Sequence, residues 1–63
     1  MLVLTIARHE QIVLRDDAGR WLGNVVFCEQ HGNKVRIGFD GLDEIEVNRE
    51  EVDRKKFPHQ EAT

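Results

Sequence analysis

The stretch EIEVNREEV, residues 44–52, decides how this chain is read. Its first half alternates, with Ile45 and Val47 on one side and Glu44 and Glu46 on the other, the period-2 signature of a strand. Its second half changes period. Asn48 is a good N-cap residue, and Glu51 three positions later completes a capping-box pattern. Asp53 follows in the first turns, while Arg54, Lys55 and Lys56 fall in the last, where cations suit the helix dipole. The spacing predicts a strand over 44–47 and a short helix over 49–57. Arg49 is the anomaly. A cation at the positive end of a helix costs from a few tenths up to about 1 kcal/mol, so its place asks for a reason outside the helix.

Working outward, KVRIGF (34–39) alternates cleanly, with Val35, Ile37 and Phe39 inward and Lys34 and Arg36 outward. The run RWLGNVVFCEQ (20–30) reads as a longer strand, with Trp21, Val25 and Phe27 on one face and Leu22, Val26 and Cys28 on the other. Gly23 in its middle predicts a bulge or a bend. QIVLR (11–15) and LVLTI (2–6) supply two more strands, and the latter puts Leu2, Leu4 and Ile6 on one face and Val3, Thr5 and Ala7 on the other. Turn clusters stand at 8–10, 16–19, 31–33 and 40–43. The fold class is therefore mainly β: five short antiparallel strands and a C-terminal helix. That helix offers only Val52 and Phe57 to a core, while the first strand is apolar on both faces. Together these predict strands interleaved between two chains, with the core completed in a homodimer. The unit is one domain over 1–57, with PHQEAT (58–63) as a frayed tail.

Composition narrows the function. A chain of 63 residues holds at most one small core, which favours a partner chain. Twelve acids against nine bases give a net charge of −3, which counts against binding DNA or RNA by bulk electrostatics. The single cysteine, Cys28, allows no intrachain disulfide and fits a reducing cytoplasm. The N-terminus is apolar only as far as Ala7, too short for a signal peptide or a membrane span. There is no serine and no Gly-rich phosphate loop, and the adjacent pairs Asp16-Asp17 and Glu50-Glu51 do not share a face, so an enzyme is not expected. Cys28-x-x-His31, with His9 and His59, falls short of the four-ligand set that structural zinc wants. Neither metal nor other cofactor is expected.

The start MLVLT, Glu10 before an apolar strand and Asp16-Asp17, the block GNKVRIGF (32–39) and the ending EIEVNREEV together resemble the carbon storage regulator family (CsrA/RsmA), from Met1 to about Val52. The resemblance implies a cytoplasmic bacterial homodimer that binds GGA motifs in messenger RNA leaders, in single-stranded hairpin loops, and alters ribosome access or transcript stability. Regulatory small RNAs or protein antagonists are the further partners it implies. Its binding edge sets the first strand of one chain beside the fifth strand of the other. It makes Leu4, Thr5 and Ile6 on the first strand, and Ile45, Val47, Asn48, Arg49 and Glu50 from the fifth strand onward, candidate RNA contacts. Arg36, with Lys34, is a candidate phosphate rail. Arg49 then has its reason: it contacts RNA.

The chain departs from the family pattern in four places. Ile6-Ala7 stand where an arginine pair usually follows LxLT, and His9-Glu10 stand where glycine-glutamate is expected. Asn48 replaces a frequent histidine. The hairpin DDAGRWLGNVVFCEQHGN is about five residues longer than the pattern. Loss of the arginines removes phosphate contacts, which carry much of nucleic-acid affinity. The alternative reading is a diverged relative with weak RNA binding that acts through protein contacts such as mixed dimers. At single residues the plainer readings are a surface bridge from Arg49 to Glu46 or Asp53, and a core or interface place for Trp21 rather than a base-stacking one.

Overall fold

The computed structural model describes residues 1–7, 9–27, 34–41 and 43–59. Its elements follow in the order β1 (Leu2–Ala7), β2 (Ile12–Asp16), β3 (Trp21–Val25), β4 (Lys34–Phe39), β5 (Ile45–Arg49) and α1 (Glu50–Lys56). All strand pairings are antiparallel and fall into two sheets, β1-β4 and β3-β2-β5. The mainly β architecture read from periodicity is the one observed.

The core lies where the two sheets meet. Ile6 of β1, Ile12 of β2 and Val47 of β5 form its buried centre, and Leu4, Leu14, Val25, Phe27, Val35, Ile37, Phe39 and Ile45 pack against it. Alternation explains this set, since every second residue of each strand points inward. The other face of the three-stranded sheet carries Val13 and Arg15, both fully buried, and α1 packs against β2 and β5. The other face of β1 stays open: Val3 is 42% exposed, and so is part of the inner face, with Leu2 at 44%. Two apolar faces were expected to be covered, and within one chain the first strand covers neither fully.

The turns carry the local chemistry. Between β1 and β2, His9 takes a left-handed backbone (φ 71°), a conformation glycine adopts without strain. Glu10 closes this turn, its N–H donating to Ala7 O (3.2 Å) while its Oε1 accepts from Ala7 N–H (2.5 Å). Between β2 and β3, Asp16 is the organiser. Its Oδ1 accepts from the Ala18 and Arg20 N–H groups at 3.0 and 2.8 Å, and Gly19 turns the chain with φ 86°. These hydrogen bonds, the Arg20 backbone N–H first, hold the Asp16 carboxyl below its ordinary range.

The reading of the third strand needs correction. The third strand, expected over 20–30, ends at Val25: β2 is its ladder partner, and the last pair is Ile12↔Val25, beyond which β2 gives way to the turn. Residues 28–30, with Cys28 among them, and the turn residues 31–33 lie outside the described residues. The bulge expected at Gly23 is present. Leu14 pairs with Gly23 and Arg15 with Trp21, so that Leu22 is the extra residue. The bulge also removes Trp21 from the core, because it aligns the ring with Arg15 instead of with Leu14's inward face. Trp21 is 41% exposed, and its Nε1–H donates to Asn24 Oδ1 at 2.7 Å.

Candidate nucleic-acid interface

β5 runs into α1 without a connecting residue. Arg49 is both the last residue of the strand, paired with Ile12, and the N-cap of the helix, with φ −61° and ψ 150°. The capping box expected from Asn48 and Glu51 is not formed, and no side chain caps the helix. Asn48 fails as a cap because it is still in the ladder, opposite Val13. Its Nδ2 is buried and has no hydrogen-bond partner among the described residues. The orphan N–H of Glu50 is satisfied from outside the helix, by Gln11 O at 2.9 Å. The helix spans Glu50–Lys56 rather than 49–57, with Glu50, Glu51 and Asp53 in its first turn and Arg54, Lys55 and Lys56 in its last.

The nine candidate contacts fall into two groups. Leu4, Thr5 and Ile6 lie on β1, and Arg36 lies directly across from Thr5 on β4. Thr5 and Arg36 are exposed on the same outer face, as are their neighbours Val3 and Lys34. Ile45, Val47, Asn48 and Arg49 lie on β5, with Glu50 opening α1. Ile6 is fully buried and Val47 is 9% exposed, so any ligand would meet their main chain rather than their side chains. Leu4 and Ile45 are half-buried.

Within one chain these groups do not form one surface, because β1 and β5 belong to different sheets. Each is an edge strand, β1 paired with β4 and β5 paired with β2. Such an edge presents a row of N–H and C=O groups. A depression at the start of β1 is lined by Met1, Leu2, Phe39, Asp40, Asp43 and Ile45 among others, and of the first group it takes in none.

The charges around β5 are mostly engaged. Lys56 Nζ donates to Glu46 Oε1 at 2.7 Å, and this bond is the main reason that the Glu46 carboxyl sits below its ordinary range. Arg54 Nη2 donates to Glu50 Oε1 at 3.0 Å. Arg49 is held least. Its side chain is 42% exposed and meets Glu51 at 3.6 Å, not the Glu46 or Asp53 of the plain reading. A pair this long and wet contributes little, so the guanidinium is available to an anion.

The sequence reading missed Arg15 and Asp53. Arg15 Nε donates to Asp53 Oδ1 at 2.7 Å and Nη2 to Oδ2 at 2.9 Å, with both side chains nearly inaccessible. The Asp53 hydrogen bond, before all else, holds the Arg15 guanidinium more firmly protonated than usual. The available signal was faint: a cation two residues after a buried Val13 shares its face, and an acid four residues after Arg49 turns toward the sheet. Among the described residues, no cluster of three or more His, Cys, Asp and Glu could hold a metal, and no helix is long and apolar enough to cross a membrane.

The CsrA family model, that of a global regulator protein family, matches residues 1–56. The Translational regulator CsrA of Rhodopirellula baltica (strain DSM 10527 / NCIMB 13988 / SH1) is 38% identical over 52 residues, which is 82% of this chain and 67% of that relative. No solved structure matches the chain.

Proposed function

The chain belongs to the CsrA family of global regulators, and from that premise we propose that it is a homodimeric translational regulator binding GGA motifs in messenger RNA leaders. One observation carries the reading. β1 and β5, the two halves of the binding edge that the family resemblance implies, lie in separate sheets, and each keeps an unladdered edge. Setting β1 of one chain against β5 of a second gives those edges partners. It also brings Thr5 and Arg36 of one chain toward Arg49 of the other, twice per dimer by symmetry.

The chemistry suits single-stranded RNA. Unstacked loop bases expose their hydrogen-bonding edges, which polar side chains and the main-chain groups left unladdered at the strand ends can read. Leu4 and Ile45 supply apolar surface for base faces, and Arg49 pairs with a phosphate or stacks on a base. Lys34 and Arg36 extend the cationic track along β4. Occupying a leader in this way blocks the ribosome or changes transcript lifetime. No step requires catalysis, and the unit that carries the activity is the domain over 1–57.

A titration of the purified protein with a GGA-loop hairpin and a scrambled-loop control tests the reading. Preference for GGA by at least about tenfold, roughly 1.4 kcal/mol, is expected. Equal affinity for both loops would contradict it and leave the mixed-dimer alternative in its place.

A further inference from the structure

Among the described residues, the largest fully buried side chains are Arg15, Ile6, Ile12, Val13 and Asp53. A cation and an anion thus hold two of the fully buried places in a small core that is otherwise apolar. Well-packed apolar residues stabilise such a site as well as a buried ion pair or better, because both charges must first be stripped of water. What the pair adds is geometry. The planar fork of Arg15 engages both Asp53 oxygens side by side and gives its Nη1–H to Gly19 O at 2.9 Å. Its flat face lies 4.3 Å from the centre of the Phe57 ring. Gly19 in turn sits so close to Phe57 that a Cβ there would fall 2.9 Å from Cε1. One guanidinium therefore indexes the β2–β3 turn to Asp53 in the first turn of α1 and to Phe57 at its C-cap.

The consequence reaches Arg49. Its own side-chain contact, Glu51 at 3.6 Å, is too weak to aim it. Its direction comes from the backbone, which is set by the β5 ladder before it and by the pitch of α1 after it. That pitch has two anchors: the Glu50 N–H on Gln11 O, and the buried pair of Asp53 with Arg15. We propose that Arg15 and Asp53 are positioning residues for Arg49, fixing α1 so that the Arg49 guanidinium is presented to RNA in one direction. This rests on the RNA-binding reading above.

The test uses the full chain carrying Arg15→Met with Asp53→Leu, alone and combined with Arg49→Ala. Thermal midpoint, GGA-hairpin affinity and NMR relaxation of the Arg49 Nε–H group are measured on each. The expected result is a midpoint unchanged or raised, a more mobile Arg49 side chain, and affinity reduced about three- to tenfold, with no further loss once Arg49 is alanine. An equal loss in both backgrounds, or unchanged affinity with a rigid Arg49, overturns the proposal. If the apolar double variant fails to fold, Arg15→Lys is read the same way, since it keeps the charge and loses the fork. Wild-type protein that does not prefer GGA would overturn the RNA reading itself. The positioning of Arg49 would then stand or fall on the relaxation measurement alone.

Discussion

Arg49 shows how a single residue can be placed against local preference. It stands at the N-terminus of α1 without a capping side chain, where a cation is disfavoured by the dipole. Arg49→Ala should leave stability unchanged or raise it by about a few tenths of a kcal/mol, while weakening GGA-hairpin binding by about 1–3 kcal/mol. Chemical denaturation and a hairpin titration on the same variant check both. His9 carries the opposite lesson. The family resemblance puts glycine there, and the backbone does adopt φ 71°, so His9→Gly should stabilise the protein by about 0.5–1 kcal/mol. A lower unfolding midpoint for that variant would contradict the strain. Both residues were legible as anomalies in the sequence. Arg15 was not, because an arginine closing the strand QIVLR beside Asp16-Asp17 gives no sign of burial until β2 is known to be the central strand of its sheet.

At the scale of elements, periodicity located all five strands and the helix, and it erred where neighbours decide the ends. β3 stops where β2 runs out of partners, and the ladder carries β5 two residues further than alternation alone suggested, taking Asn48 from the helix. Two carboxylates join elements: Asp16 in the β2–β3 turn and Glu46, which ties β5 to Lys56 of α1. Both ionise more readily folded than unfolded. Their contribution is therefore complete above the unfolded carboxylate value of about 4 and is lost as pH falls through the lower folded values. Urea midpoints should hold steady from neutral pH to about 5 and then fall, and Asp16→Asn with Glu46→Gln should flatten that acid limb. β1 offers a gain instead of a loss. Ala7 lies across from the exposed Lys34, and Ala7→Arg should tighten RNA binding and steepen its salt dependence by up to about one unit of slope. An unchanged slope would mean that this edge does not face RNA.

The whole molecule is small for its task. Among the described residues, the buried hydrophobic core is Ile6, Ile12, Val13 and Val47, while Met1, Leu2, Val3, Trp21, Leu22 and Val26 remain exposed. A second chain is the simplest source of the missing burial, so the unfolding midpoint should rise with protein concentration, and sedimentation should find no folded monomer at concentrations on the order of micromolar. The proposed dimer makes a sharper demand: with β1 and β5 set side by side from different chains, each RNA site would draw on both chains. Thr5→Glu and Arg49→Ala should each abolish or weaken both sites of its own homodimer. Unfolded together and refolded as an equal mixture, the two variants form mixed dimers in which one site receives both lesions and the other receives neither. GGA-hairpin titration of that mixture should recover about a quarter of the wild-type sites at wild-type affinity. Recovery of none, with mixed dimers demonstrably present, would place the two strands of each site in a single chain and contradict the shared edge.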